Sequence, residues 1–383
     1  MPLRVPPINF GLPQLYAALL LLLFATQALW IVENTPPQPT EFSTLDCGRA
    51  VLHLSQESSC SRNDSALSSA TAAAPFLFVR TIEQQPTSQL PVFDLFRFAP
   101  WTRTLSHLPF VAFGLWLGGG LWWVARRLFG TAGGVLALAL YCTSPWILRA
   151  ATTLSPEIIA AWGFFGAIYT SIGIGHTILA PLREWRFRIL LLGAALAFTA
   201  SAVPTAGWLA LAFSCFFLLY LSEDRRPHAI TTLCAAALIA ALLILLLSAG
   251  HMQLLATATP RLSASWILRF FSQWHDVPLY ALAAIALAVF LGWRRARYFG
   301  NWSPLLVAII TPFLASRWTS TEPLVWSLPF LYVFIAGVFA DLFESSLRKF
   351  AIPLSAALVL ANAALGWRFI LHSVELLQTV GRR

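Results

Sequence analysis

Long apolar runs, separated by short polar segments, occupy most of this chain. The first run, residues 13–32, has about the twenty apolar residues that a helix needs to cross a bilayer. Several later runs are shorter, and we expect them to be tilted, broken or re-entrant where protein surrounds them. The eleven runs are residues 13–32, 105–125, 131–148, 157–180, 189–203, 206–221, 229–249, 279–293, 303–316, 324–343 and 350–372. The pattern predicts an all-α, polytopic membrane protein with about eleven transmembrane helices.

Composition favours a single transmembrane domain over residues 1–383. Hydrophobic residues make up 58% of the chain and charged residues only 11%, whereas soluble domains have about 25% charged residues. The net charge of +9 does not indicate a nucleic-acid partner, because the basic residues fall in small groups between apolar runs. No small-residue cleavage site follows the first run, so we interpret it as a retained helix rather than a signal peptide.

The basic groups predict the orientation of the bundle. Thirteen of the twenty-five basic residues lie at the N-terminus and in alternate short loops, on one side of the predicted bundle. They are Arg4, Arg126, Arg127, Arg183, Arg186, Arg188, Arg225, Arg226, Arg294, Arg295, Arg297, Arg348 and Lys349. Because short cytoplasmic loops are rich in Lys and Arg, we expect a multi-pass protein of the bacterial cytoplasmic (inner) membrane with a cytoplasmic N-terminus. Residues 33–104 then form a long extracytoplasmic first loop.

This first loop contains the residues from which we expect chemistry, since eleven of the sixteen acidic residues fall on its side of the bundle. Cys47 and Cys60 also lie in the loop, where an oxidising compartment permits a disulfide; whether they pair stays open. The stretch from Ser58 to Ala74 is rich in Ser and Ala and is expected to be flexible. No metal site is predicted, because an aromatic belt explains the outer 251–278 segment better than a metal does.

Two breaks interrupt the apolar runs on the same side. Ser144-Pro145 and Ser155-Pro156-Glu157 bracket a short turn, and Pro204 splits residues 189–221 into a hairpin. Breaks that face a cavity are where membrane enzymes and transporters place their sites. Tight turns between two helices are the alternative explanation.

Several segments, taken in order, resemble a family of membrane enzymes. Residues 103–109 begin with Arg103 and end with Pro109, residues 122–130 end in Arg-Arg-Leu-Phe-Gly, and the Ser-Pro turn is followed by Glu157. Residues 193–200 are a looser match, and residues 315–318, Ala-Ser-Arg-Trp, precede Pro323 and Pro329. This order is similar to that of GT-C class glycosyltransferases that use polyprenyl-phosphate sugars, a group related to protein O-mannosyltransferases and lipid A aminoarabinose transferase. The resemblance implies a GT-C-like fold over about residues 103–340.

The resemblance also implies an activity. Such a transferase moves a sugar from a polyprenyl-phosphate donor to an acceptor hydroxyl or amine on the outer side of the membrane. The reaction inverts the configuration at the anomeric carbon. A carboxylate must remove the acceptor's proton, and a cation must stabilise the departing phosphate. The implied partners are a lipid-linked sugar donor and membrane lipids. The cofactor stays open between a divalent metal and none.

The first loop offers three acids for the catalytic base. Asp46 is the preferred candidate, followed by Glu41 and Glu33; a helix N-cap or a solvated loop acid is the alternative role for Asp46. Members of the family usually carry an acidic pair just after the first helix, and these three residues do not form that pattern.

Three residues are candidates for binding the donor. Arg317 matches the late arginine of the family, and a guanidinium suits phosphate, although an interfacial anchor explains it equally well. Glu157 matches the second acidic position, although an acid at a helix N-terminus also satisfies the helix dipole. Arg149 is the weaker candidate for the phosphate.

Two other functions remain open at this stage. The missing acidic pair fits a catalytically silent GT-C-like scaffold or partner subunit of an envelope complex. A lipid-linked-sugar transporter is disfavoured, because transporters of this size often show two similar halves and the sequence shows no internal repeat.

Overall fold

The structure is a computed structural model that describes residues 11–52, 60, 65–83, 92, 96, 99, 101–177, 183–247, 276–315 and 324–381. Within these residues the chain is all-helical. Thirteen α-helices occur there: α1 (Leu12–Asn34), α2 (Pro39–Val51), α3 (Ala66–Glu83), α4 (Trp101–Cys142), α5 (Pro145–Ala151), α6 (Glu157–Thr177), α7 (Arg183–Ala202), α8 (Pro204–Leu221), α9 (Arg226–Leu247), α10 (Val277–Gly292), α11 (Phe299–Ala315), α12 (Leu324–Phe343) and α13 (Arg348–Gly381).

Helix α4 is two antiparallel spans joined at one glycine. An unbroken helix of 42 residues would be about 63 Å long, twice the thickness of the hydrocarbon core. Gly130 has a φ of +73°, which only glycine adopts easily, and the chain reverses there. The Tyr141 hydroxyl consequently donates a hydrogen bond of 2.6 Å to the carbonyl oxygen of Gly114.

The predicted count of about eleven spans is confirmed for the described residues. Seven helices there are long and apolar enough to cross a membrane, and one of them is the double span α4. The shorter apolar helices in α7, α10 and α11 bring the candidate spans to about eleven, and a fourth, within α3, belongs to the first loop. The predicted break at Pro204 is real: Val203 is extended between α7 and α8, and Pro204 begins α8. Pro145 likewise begins α5, with Ser144 as its N-cap.

The centre of the bundle is α12, of whose twenty residues seventeen are buried. It packs against α4, α6, α10, α11 and α13. Glycines permit the closest helix contacts nearby, as membrane bundles require. A Cβ on Gly163 of α6 would collide with Thr199 of α7, and one on Gly193 of α7 would collide with Ile239 of α9.

Because consecutive spans are antiparallel, the bundle has two distinct ends. We call the end that carries the segment between α1 and α4 the first-loop end. It also carries α5, the starts of α6, α10 and α12, and the turn between α7 and α8. The other end, which we call the arginine end, carries the basic groups around residues 126–127, 183–188, 225–226, 294–297 and 348–349.

The described parts of the first loop form a layer over its end of the bundle. Helices α2 and α3 cross at Gly48, where a Cβ would overlap the carbonyl oxygen of Ser69. The Ser65 hydroxyl donates a hydrogen bond of 3.0 Å to the carbonyl oxygen of Ser201. Residues 66–74 are helical, so the prediction of a flexible stretch over Ser58 to Ala74 was wrong for them; alanine is the strongest helix former, and that property outweighs the serines.

The structure decides the question of the two loop cysteines. Cys47 of α2 and Cys60 form a disulfide, with their Cα atoms 4.6 Å apart. This separation lies within the range that a disulfide spans. The bond fixes the end of α2 to the segment that leads into α3. Disulfides persist in oxidising compartments, which agrees with the extracytoplasmic position predicted for this loop.

Candidate functional site

A cavity of about 610 Å³ lies between the end of α1 and the start of α4 at the first-loop end. Its lining residues are Val32, Glu33, Thr35, Pro37, Phe96, Trp101, Arg103, Thr104, Leu105 and Leu108. Trp101 and Leu108 are 47% and 42% exposed, and they lie about 10 Å apart along α4. Tryptophan is typical of the membrane interface and leucine of its apolar interior. The cavity therefore joins a polar rim to an exposed, apolar side of α4.

Arg103, in the first turn of α4, uses all of its hydrogen-bond donors within the protein. Its Nε donates to Glu41 Oε2 at 3.2 Å and its Nη2 donates to Glu41 Oε1 at 3.5 Å and to Thr35 Oγ1 at 3.3 Å. Its Nη1 donates to the carbonyl oxygens of Val32 and Thr35. Arginine has five N–H groups, so none is left for a phosphate. Arg103 connects α1, α2 and α4.

His107 lies one turn further along α4 and completes this buried group. Its Nδ1 is 2.8 Å from the carbonyl oxygen of Arg103, which can only accept, so Nδ1 carries a hydrogen. Its Nε2 faces Glu41 Oε1 at 3.6 Å. The imidazole is fully buried. We refer to Glu41, Arg103 and His107 as the loop clamp, because they attach α2 of the first loop to the membrane helices.

Glu41 occupies the first turn of α2 with its side chain only 5% exposed. Burial raises the pKa of Glu41, but the neighbouring His107 and Arg103 together hold it below its ordinary value of 4.5. A carboxylate with a lowered pKa is a weaker proton acceptor. This setting favours a structural role for Glu41 over its predicted role as base.

The other two acids predicted as base lie in more open positions. Glu33, in the last turn of α1, is exposed and lines the cavity. Asp46 has a side chain that is 41% exposed, and one of its oxygens lies 3.9 Å from Arg49 Nη1. It sits in the middle of α2, whose N-cap is Gln38, so the alternative role of Asp46 as an N-cap was wrong.

The residues predicted to bind the donor lie around α5 and α6 or outside the described residues. Glu157 is the first residue of α6 and is half-buried, and Arg149 is exposed in the last turn of α5. Both are at the first-loop end, but neither lines the cavity beside Glu33. Arg317 lies outside the described residues, so its role in binding the donor phosphate stays a prediction.

Sequence reasoning missed three buried polar residues at this end. Arg103 and His107 are spaced i and i+4 at the start of an apolar helix, so they share one face, and ionisable residues inside a membrane span are functional candidates. That spacing could have identified them. Asp276 falls in the 251–278 segment that the sequence assigned to the outer side. It is fully buried and accepts a hydrogen bond of 2.6 Å from Trp146 Nε1. It links the start of α10 to α5.

In the parts of the chain that the structure describes, no three His, Cys, Asp or Glu side chains are grouped so that they could hold a metal ion. His251 and His275 lie outside those parts. The cofactor requirement stays open.

The arrangement of spans and first loop matches solved structures of one membrane transferase. ArnT from Cupriavidus metallidurans, crystallised with bound undecaprenyl phosphate, aligns with a TM-score of 0.65 over 96% of this chain and 77% of the ArnT chain. The chain shares the ArnT fold. ArnT in the apo state aligns with a TM-score of 0.60 over 95% of this chain and 76% of its own. Sequence identities are 12% and 13%.

This likeness confirms the GT-C-like fold that the sequence resemblance implied, and it confirms a multi-pass membrane protein. No protein-family model matches the chain, and no curated protein does either. At 12–13% identity the shared property is the fold. Activity and substrates must be argued from the residues of this chain.

Proposed function

We propose that this protein transfers a sugar from a polyprenyl-phosphate donor to an acceptor on the outer side of a bacterial cytoplasmic membrane. The observation that carries the proposal is the alignment of 96% of the chain with ArnT bound to undecaprenyl phosphate. The cavity at the first-loop end adds support, because it joins a carboxylate to an exposed apolar wall. A donor whose chain stays in the bilayer presents its phosphate at this level.

The transfer is a single inverting displacement. The acceptor oxygen or nitrogen attacks the anomeric carbon from the side opposite the phosphate. A bond forms between the acceptor and the sugar, and the bond between the anomeric carbon and the phosphate oxygen breaks. The acceptor's proton passes to a carboxylate, and polyprenyl phosphate leaves with the bonding electron pair.

Glu33 is the carboxylate best placed to take that proton. It is exposed and lines the cavity, whereas Glu41 is buried in the loop clamp. Asp46 is the alternative, because it is partly exposed on the same loop. The order of the candidates therefore changes: Glu33 comes first, Asp46 second and Glu41 last.

The donor phosphate needs a cation, and Arg103 is unsuitable because its five N–H groups are already used. Arg317 is the proposed phosphate ligand, since a guanidinium binds phosphate through two parallel hydrogen bonds. Arg149, exposed at the first-loop end, is the second candidate. Glu157 is proposed to orient the donor from the head of α6.

Binding of undecaprenyl phosphate to the purified protein tests the proposal. We expect this lipid to raise the melting temperature in detergent, because a ligand that binds only the folded state stabilises it. Undecaprenol, which lacks the phosphate, should have a much smaller effect. Arg317→Ala should reduce the phosphate-dependent shift, and Arg295→Ala, at the arginine end, should leave it intact. Equal shifts with both lipids would contradict a donor site.

A catalytically silent scaffold is the second candidate, and one observation favours it. The acid in the first turn of α2, Glu41, is enclosed by Arg103 and His107 rather than facing a cavity. Turnover separates the two functions. Transfer from a panel of undecaprenyl-phosphate hexoses supports the enzyme, whereas lipid binding without transfer from any of them supports the scaffold.

A further inference from the structure

We propose that Arg103 is a positioning residue that fixes Glu33 in the cavity, and that Glu41 and His107 serve to hold Arg103 in place. This inference rests on the proposed function of Glu33 as the base. It gives the loop clamp a role in the reaction without contact to either substrate.

Arg103 binds backbone carbonyl oxygens on both sides of Glu33. The last four carbonyl groups of a helix have no partner within it, and α1 ends at Asn34. Nη1 of Arg103 donates to the carbonyl oxygens of Val32 and Thr35. These two residues flank Glu33 and Asn34 in the chain. The backbone on both sides of Glu33 is thereby attached to α4.

Packing holds the neighbours of Glu33 but not Glu33 itself. Ala28, Ile31 and Val32 are buried in the bundle, whereas Glu33 is exposed. The rings of Trp30 and Trp367 lie 5.2 Å apart and attach the preceding turn to α13. Beyond Thr35 the chain continues through Pro36 and Pro37, which cannot extend the helix.

Glu41 and His107 set the orientation of the Arg103 side chain. Glu41 binds its guanidinium through both oxygens, at 3.2 and 3.5 Å. A fork of this kind fixes the plane of the guanidinium as well as its position. His107 in turn faces Glu41 Oε1 at 3.6 Å. Docking of α2 thus sets the direction of Arg103, and Arg103 sets the backbone beside Glu33.

Precise placement matters because displacement of a reacting group by about 1 Å can reduce a rate 10²-fold. Lysine at position 103 would keep the positive charge but not the planar fork. It could not bind Glu41, Val32 and Thr35 in the present geometry. Arg103→Lys therefore isolates positioning from charge.

Arg188 provides a matched control at the arginine end. It also binds a helix C-terminus, donating to the carbonyl oxygen of Gly173 at 3.1 Å and to Thr177 Oγ1 at 2.6 Å. Arg188→Lys makes the same chemical change at the end of α6. It should alter that end alone.

The experiment combines hydrogen exchange with steady-state kinetics on the full-length protein. In Arg103→Lys we expect faster amide exchange in residues 31–36, where Thr35 N–H now binds the carbonyl oxygen of Ile31. We expect kcat per folded molecule to fall at least tenfold, with KM for the undecaprenyl-phosphate hexose within about twofold of wild type. Glu41→Gln should show the same pattern more weakly. Arg188→Lys should change neither quantity.

Three outcomes separate the possibilities. A normal kcat per folded molecule in Arg103→Lys overturns the inference and leaves the proposed function intact, since the clamp is then merely structural. Unchanged exchange in residues 31–36 also overturns it. If wild type transfers none of the hexoses, the proposed function fails instead, and the exchange data still show whether Arg103 fixes this backbone. If Arg103→Lys does not fold, Glu41→Gln carries the test.

Discussion

The two ends of the bundle use the same residue for different purposes. Arg103 at the first-loop end and Arg188 at the arginine end each bind the end of a transmembrane helix. Arg103 is buried and forms an ion pair with Glu41, whereas Arg188 is only half-buried. A buried charge is tolerated where it is paired and fully hydrogen-bonded. The first-loop end meets that condition with a residue from the loop, and so ties the loop to the bundle.

The arginine end has a second polar group, in which an amide and a hydroxyl bind one carboxylate. Asn301 Nδ2 donates to Asp341 Oδ2 at 3.0 Å and to the carbonyl oxygen of Ala296 at 3.0 Å. The Tyr298 hydroxyl donates to Asp341 Oδ1 at 3.4 Å. The basic side chains near these hydrogen bonds are exposed: Arg294, Arg295, Arg297, Arg348 and Lys349. This end carries the basic groups from which the orientation was predicted, and the other end carries the cavity. The contrast leads to four predictions.

The largest effect concerns which end faces outward. Thr40 is an exposed residue of α2. We expect Thr40→Cys to react with a membrane-impermeant maleimide in intact cells. Ser346→Cys, exposed at the arginine end, should react only after permeabilisation. Cys142, Cys215 and Cys234 lie in transmembrane helices and provide the background measurement. The reverse labelling pattern would invert the orientation and remove the proposed outer site.

The next effect concerns the two ends as sites of chemistry. Glu33→Gln should lower kcat by about 10²–10⁴-fold, the usual contribution of a general base, while the protein stays folded. Glu344→Gln removes an exposed carboxylate from the arginine end and should have no effect. Sugar transfer from undecaprenyl-phosphate hexoses in vesicles measures both variants. If Glu33→Gln is fully active and Asp46→Asn is not, the base is Asp46.

The third prediction compares the two arginines as stabilising residues. Arg103→Ala leaves Glu41 buried without its guanidinium, which should destabilise the protein by about 3–5 kcal/mol. Arg188→Ala loses hydrogen bonds in a half-buried position and should cost about 1.5–3 kcal/mol. Unfolding in mixed micelles measures the difference.

A double variant checks the cause of that difference. Arg103→Ala combined with Glu41→Ala should recover part of the lost stability, because the unpaired carboxylate is removed as well. Equal losses of stability in Arg103→Ala and Arg188→Ala would show that burial of the ion pair contributes nothing.

Much of the architecture follows from local sequence pattern. The apolar runs predicted the number of spans because each bilayer crossing needs its own run of apolar residues. Pro204 and Pro145 marked helix starts because proline fits the first turn of a helix. The membrane environment makes these local rules strong, since a spanning backbone must satisfy its own hydrogen bonds.

The site was less predictable because its contacts are remote in sequence. Glu41 and Arg103 are 62 positions apart, and no periodicity relates them. Asp46 ranked first as base because it follows the first apolar run by 14 residues and precedes a stretch that could form a short helix. The burial of Glu41 and the exposure of Glu33 depend on how α2 docks, which the pattern of α2 alone does not determine. Asp276 was misplaced for the same reason, since its partner Trp146 lies 130 positions away.

The smallest effect is the response of the loop clamp to acid. The pKa of Glu41 is lower in the folded protein than its ordinary value of 4.5. The folded state therefore favours the ionised carboxylate, and the resulting stabilisation is complete above about pH 4.5. It is lost as the pH falls from there through the folded-state pKa, because the unfolded chain takes up the proton more readily than the folded protein does. We expect the melting temperature in detergent to fall as the pH drops below 4.5. Glu41→Gln should have a lower melting temperature at pH 7 and a shallower decrease in acid, whereas Glu344→Gln should follow wild type. Parallel curves for wild type and Glu41→Gln would mean that Glu41 does not carry the acid sensitivity of the first-loop end.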